Sequence, residues 1–412
     1  MDFFEFLDSA VTPFHTVSEL KKAFEKAGFG KDSVFERNGA LIVVRLPRKV
    51  NSNTRFRIAL AHTDFPALKI SPNPDKNCAG VNKLHVETYG GLLYTSWLDR
   101  DLGYAGLLAF EKDGQVGSRL IRGSKLFRIP QLAIHLNRGV NQDGLKVNPQ
   151  TDLDALWSSS SSAADASRKF ADVLQAELGG DEHLLDFDVQ FFDAQPASVG
   201  GFNDEWVYSG RLDNLSSCHA IAEAMLNSDV PENDFLVAAF MNNEEVGSVS
   251  RDGAGGNFLQ STLETLWNRY AQNGGVGRSL SEVLADSLAL SIDMAHAEHP
   301  NFPQKHESNH APVLGGGVVL KTNAQKRYAS DVLSSAQFKL LCKKADVPYQ
   351  TFITRNDMPC GSTVGPTISA SLGIPTVDIG EPMLSMHSIR EMIASKDHVG
   401  LISLLKIFLG KF

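Results

Sequence analysis

Phe235-Leu236-Val237-Ala238-Ala239-Phe240-Met241 runs straight into Asn242-Asn243-Glu244-Glu245. A short unbroken apolar run reads as a strand buried on both faces, the kind found in parallel sheets covered by helices. The pattern recurs along the chain. Residues 56–61 end in His62-Thr63-Asp64, residues 288–292 end at Asp293, and residues 376–379 lead into the loop that carries His387. Residues 40–44 form another apolar β-branched run, and residues 216–225 read as a helix. Buried strands alternating with helices predict an α/β domain, in which sites collect at the carboxyl edge of the sheet.

Outward from these strands the character changes. The first forty residues are helix-forming: Phe3, Phe4, Phe6 and Leu7 open one apolar stripe, and Leu20, Phe24 and Phe29 lie along a second helix starting near Val17. After Pro72-Asn73-Pro74, residues 85–89 and 92–95 are short segments split by Gly90-Gly91, strand-and-turn signals of a β-rich unit. The serine run at 158–162 reads as an exposed loop. A helix with Phe170, Val173, Leu174 and Leu178 on one face follows it, and a last helix is expected over 399–412. The expected organisation is an α/β domain in two parts, 1–79 and 206–412, interrupted by a β-rich insertion over 80–205.

The 412 residues allow two or three domains at roughly 100–200 residues each. A net charge of −9 argues against nonspecific nucleic-acid binding and against docking on anionic membranes. No apolar stretch approaches the ~20 residues a membrane span needs, and Met1-Asp2-Phe3-Phe4-Glu5 lacks the basic start of a signal peptide. Cys78, Cys218, Cys342 and Cys360 form no C-x-x-C pair and are too sparse for a disulfide framework, so they read as reduced core thiols. A soluble cytoplasmic protein is expected.

The polar strand ends supply His62, Glu244-Glu245 and Asp293, with Asp213 after Ser209-Gly210-Arg211 and His387 further on. Imidazoles and carboxylates are what catalytic zinc takes as ligands, and a pair of metals needs a shared carboxylate and an open face. Consecutive residues leaving a strand point different ways. One glutamate of the pair can therefore ligate while its neighbour faces water as a general base. Asp64 is placed to hold the second imidazole nitrogen of His62. Each residue also has a bland explanation. The chain has twelve histidines, a Glu-Glu doublet is commonly a solvated surface feature, and a strand-end acid often caps the next helix. The force lies in several such residues, each ending an apolar strand, which points to a metallohydrolase.

The ordered segments His62-Thr63-Asp64, Val86-Glu87-Thr88-Tyr89-Gly90-Gly91, Trp97-Leu98-Asp99-Arg100-Asp101, Leu212-Asp213-Asn214-Leu215, Asn243-Glu244-Glu245-Val246-Gly247, Asp293-Met294-Ala295-His296, Gly361-Ser362-Thr363-Val364-Gly365 and Ser385-Met386-His387-Ser388 resemble the aspartyl aminopeptidase family along nearly the whole chain. The resemblance implies a zinc-peptidase-like mixed-sheet catalytic domain with an inserted β-rich dimerisation domain. It implies two Zn2+ per subunit, with Co2+ or Mn2+ as substitutes. His62 and Asp293 would hold one ion, Glu245 and His387 the other, and Asp213 would bridge them. Glu244 would be the general base, with Asp64 orienting His62. Substrates would be peptides with a free N-terminus, losing one residue, preferentially Asp or Glu. Lys321, in Val318-Val319-Leu320-Lys321, matches the lysine that binds the acidic side chain. Its bland alternative is a solvated strand-end lysine. His135, on its own a strand histidine, matches one that reaches a neighbouring active site in a closed homo-oligomer built from dimers, commonly of twelve subunits.

Phe65 stands where a small residue is more usual, and Gly315-Gly316-Gly317 has no Gly-Lys-Ser/Thr after it to make a phosphate loop. Two rival readings share the ligand stock: a related two-metal carboxypeptidase or deacylase, and a shell-forming protein without catalysis. Lys321 and the segment around His135 argue against the first, and the intact ligands and base argue against the second.

Overall fold

The computed structural model describes residues 1–271 and 276–410. By internal contacts the chain forms two compact units. One comprises Met1–Asp64, Ala197–Met386 and Glu391–Phe412; the other comprises Phe65–Pro196 and His387–Arg390.

The first unit is built on an eight-stranded sheet. Its strands are β1 (Val34–Arg37), β2 (Ala40–Arg45), β3 (Phe56–His62), β4 (Phe235–Met241), β5 (Leu288–Ile292), β6 (Val318–Lys321), β7 (Tyr349–Phe352) and β8 (Thr376–Gly380), in spatial order β1-β2-β4-β3-β5-β8-β6-β7. The four central strands β4, β3, β5 and β8 run parallel, while β2 and β6 pair antiparallel on either side of them. This is the mixed α/β architecture expected. All seven residues of β4 are buried, as a strand covered on both faces requires. One face packs Ile42, Ile58, Val237 and Ala239 against Leu263, Leu266 and Trp267 of the helix Phe258–Ala271 and Ile368 of Val364–Leu372. At about 25 cal/mol per Å2 of apolar surface, such side chains contribute roughly 1.5–3 kcal/mol each. A small five-stranded sheet, in order Ser198–Gly200, Trp206–Ser209, Glu391–Ala394, Pro382–Leu384 and Ala295–His296, completes the unit.

The helix near Val17 starts earlier than its apolar spacing indicates. It spans Pro13–Lys26, because Thr12 accepts from the His15 amide and Pro13 fits the first turn. The closing helix spans Ser395–Phe408; the end of its expected range, 411–412, lies outside the described residues.

The second unit is a six-stranded antiparallel sheet in the order Gln115–Arg122, Leu102–Lys112, His183–Asp193, Ala67–Cys78, Val81–Tyr89 and Ala155–Ser159. The strand Ala67–Cys78 belongs here because it pairs along its length with Val81–Tyr89. Edge-to-face contacts of Tyr104, Phe127 and Phe170 anchor its core. Three local expectations are corrected. Residues 92–95 are not a strand, since Tyr94–Trp97 is a 3-10 turn whose Trp97 drops into the core. The serine run is not all loop: Ser158 and Ser159 pair with Asn82 and Val81, and Asn82 Nδ2 donates to Ser158 Oγ at 2.8 Å. His135 is not on a strand but on the exposed 3-10 turn Ile134–Leu136. Among the described residues no helix is long and apolar enough to cross a membrane.

Candidate metal centre

The parallel order of β3, β4 and β5 brings their carboxyl ends to one edge. Met241 stands in register with His62, and Asp293 follows β5 with its amide donating to Ile379 O at 2.9 Å. Polar residues spaced far apart in sequence are thereby set side by side. Asp213 arrives from the first turn of the helix Leu212–Leu226, where its backbone is not yet helical and its amide donates to Glu391 Oε2 at 3.1 Å. Asn214 Nδ2 donates to Ile292 O at 2.9 Å and ties that turn to the end of β5. The Asp213–Asn214 peptide is cis.

The buried imidazole of His62 organises the group. Its Nδ1 lies 3.0 Å from the main-chain oxygen of Asp64, which accepts from it. Nε2 then carries the lone pair, and it faces Asp213 Oδ1 at 3.4 Å and Asp293 Oδ1 at 3.6 Å. A lone pair pointed at two buried carboxylates is repulsive unless a cation stands between them. The pKa of His62 expresses the same demand. Burial opposes its protonation, but Asp213, Asp293 and Asp64 outweigh burial and hold it well above the ordinary imidazole value. Ligands about 2.0–2.2 Å from a tetrahedral zinc lie roughly 3.3–3.6 Å from one another, so the spacing fits one. His62, Asp213 and Glu245 also offer ligand atoms that all lie within 4.8 Å of one another.

Asp64 does more than the sequence indicates. Its main-chain oxygen takes His62 Nδ1 at 3.0 Å, and its Oδ1 lies 3.5 Å from the same nitrogen. The fully buried carboxylate turns to the glutamate pair, Oδ1 accepting from the Glu244 amide at 3.0 Å and Oδ2 from the Glu245 amide at 3.1 Å. The 3-10 turn Glu244–Val246 is thus held by its first two N–H groups, with Asn243 before it and Gly247 after it both left-handed. Burial first, and then the carboxylates of Asp293, Asp64 and Asp213, push Glu244 up to about 8 against the opposing effect of His62.

Lys321 is buried at 2% exposure, not a solvated strand-end lysine. Its Nζ donates to Met294 O at 3.0 Å, stands 3.8 Å from Asp293 Oδ2 and lies 5.2 Å from the centre of the Tyr328 ring. Across the strand pair it is in register with Asp378, a fully buried carboxylate held at 2.6 Å by both Thr363 Oγ1 and the Ala329 amide. Sequence reading missed Asp378, Tyr328 and Glu391. Only the antiparallel return of β6 against β8 could place Asp378 opposite the lysine.

His387 and His135 belong to the second unit. His387 has a left-handed backbone, and its Nδ1 donates to Gly91 O at 3.0 Å, which leaves Nε2 as the basic nitrogen. His135 sits among exposed Leu132, Ile134 and Leu136.

Comparison with known proteins accords with this geometry. A sequence profile of the family described as aminopeptidase I zinc metalloprotease (M18) matches residues 6–409. The "Probable M18 family aminopeptidase 2" of Pseudomonas aeruginosa (strain UCBPP-PA14) is 40% identical over 422 residues, spanning 98% of this chain and 96% of that protein. A cryo-EM structure described as the Ape4 and Nbr1 complex superposes with a TM-score of 0.91 at 32% identity, covering 99% of this chain and 84% of that one. A structure described as the S. cerevisiae mApe1 dodecamer gives a TM-score of 0.83 at 28% identity over 98% and 95% of the two chains.

Proposed function

Because the chain belongs to the M18 family of aminopeptidase I zinc metalloproteases, we propose that it removes single N-terminal residues, preferring Asp or Glu, at a two-zinc centre. The observation that carries the reading is His62 Nε2 facing Asp213 and Asp293 at 3.4 and 3.6 Å, an arrangement that calls for a cation. His62 and Asp293 would hold one ion, Glu245 and His387 the second, and Asp213 both. Bound zinc would supply Lewis acidity toward the scissile carbonyl and make water acidic enough to be deprotonated near neutral pH. The chain's own residues do the rest. Glu244, held close by Asp64, takes the proton of the attacking water and delivers it to the leaving amine. Lys321 gives an acidic side chain its countercharge. Co2+ or Mn2+ can replace zinc with this ligand set.

The same reading has His135 of one subunit complete the site of another within a twelve-subunit particle. Exposed Leu132, Ile134 and Leu136 around it support an arm that another subunit covers. All four cysteines are free thiols, which suits a reducing cytoplasm. The test is a panel of aminoacyl and peptide substrates after chelation and metal add-back, with metal content measured in parallel. The expected result is about two metals per chain, restored activity on Asp and Glu substrates, and none on N-acetylated peptides. Activity on blocked peptides, or one metal per fully active chain, overturns it.

A further inference from the structure

A cleft of about 870 Å3 opens in the first unit between β7, the helix Val332–Ala345 and the segments 322–331 and 353–360. Three properties of it converge. First, β7 is the last strand of the sheet. Pro348 O and Phe352 O accept from Val318 and Thr322 of the β6 side, both at 3.1 Å. Alternation along the strand therefore turns the main-chain groups of Tyr349 and Thr351 away from β6, while Thr351 and its register partner Leu320 of β6 both line the cleft. Second, on a chain of net charge −9, the lining holds Lys326, Arg327, Lys339 and Arg355 with a single carboxylate, Asp331. Asp331 is committed to capping the helix, accepting from Leu333 and Ser334 at 2.9 and 2.8 Å, and Arg355 is matched by Asp357. Lys326 and Arg327 donate to main-chain oxygens, and Lys339 lies 5.9 Å from the Tyr349 ring; none of the three forms an ion pair among the described residues. Third, apolar surface accompanies the charge, with Val332 at 81% and Met358 at 40% exposure.

We infer that this cleft docks an extended acidic peptide segment, which places alternate Glu or Asp side chains against Lys326, Arg327 and Lys339. An extended segment turns every second side chain the same way, so its alternate positions supply the specificity. The cations, which outnumber the one carboxylate of the lining, select for acid, and the apolar rim takes the intervening residues. Such a segment binds whether or not its N-terminus is free, so the cleft is an exosite distinct from the metal centre. This inference stands on the cleft alone and does not depend on the acidic preference proposed above.

The test uses the full enzyme and a fluorescein-labelled, N-acetylated peptide of alternating Glu and Val, with Gln replacing Glu in the control, read by fluorescence anisotropy. The Glu probe should bind at least tenfold tighter than the control and weaken as salt is raised. The double variant K326E/K339E should lower its affinity at least tenfold while hydrolysis of a single-residue anilide stays at the wild-type rate. If that variant melts early, K326Q/K339Q is used and should show the same loss in part. Equal binding of the two probes, unchanged binding in the variants, or displacement of the probe by the single-residue substrate each overturns the inference.

Discussion

At the scale of single residues, Asp64 carries the most structural consequence. Its two oxygens satisfy the amides of Glu244 and Glu245, so an amide in its place would set an NH2 group against a buried N–H. Asp64→Asn should cost about 1–3 kcal/mol of stability, the price of a buried unsatisfied donor. It should also lower kcat more than tenfold, because the proposed base Glu244 and the proposed ligand Glu245 lose their anchor; a normal melting temperature with normal kcat would refute this. Lys321→Ala should reduce kcat/KM about 10- to 100-fold on Asp and Glu substrates, as expected for loss of a charged hydrogen bond of roughly 1.5–3 kcal/mol, and far less on neutral ones. Equal losses on both would remove Lys321 from the specificity pocket. Glu244 gives a pH signature in metal-free protein. Its pKa rises from 4.5 to about 8 on folding. The folded state thus binds the extra proton across that window, and stability falls as pH rises from about 4.5 to about 8. Denaturant titrations of chelated protein should show this slope, and Glu244→Gln should flatten it; an identical slope in the variant contradicts the assignment.

At the scale of elements, the strands act as arms that present polar ends, and their packing tolerates little. A Cβ built on Gly380 at the end of β8 would lie 1.7 Å from Asp293 O. Gly380→Ala must therefore displace the end of β5 that carries Asp293. Zinc content should drop and the protein should melt earlier, and retention of full zinc would show that Asp293 is not a ligand. A helix at a distance behaves differently. Ser279 and Glu282 form a capping box at the start of Leu280–Ala285. Ser279→Ala should cost about 1 kcal/mol of stability with kcat/KM unchanged. The elements also show where sequence reading succeeds. The bounds of β4 were legible because seven apolar residues in a row can only be buried, and each polar neighbour then marks an end. The turns at Tyr94–Trp97 and Ile134–Leu136 were not legible, because their apolar residues resemble short strands and only the absence of a pairing partner sets them apart.

At the scale of the whole molecule, the proposed assembly predicts a particle of twelve 44.9 kDa chains by light scattering. His135→Ala should leave that particle intact and still lower kcat, and an active wild-type monomer would sink the trans role. The exposed apolar residues around His135 make the turn costly to leave in water, so variants that dissociate the particle should also aggregate.

The amino-acid sequence by itself determined the α/β class, the β-rich unit and the polar strand ends from which the site is drawn, because burial forces a strand's polarity pattern to be local and periodic. Tertiary structure alone decided the rest. Strand order, which no local pattern encodes, set His62 beside Asp213 and Asp293. An antiparallel return placed Asp378 against Lys321. Folding set the Asp64 carboxylate between His62 Nδ1 and the Glu244-Glu245 turn. These are long-range pairings, fixed by which buried faces fit together rather than by the residues adjacent in the chain.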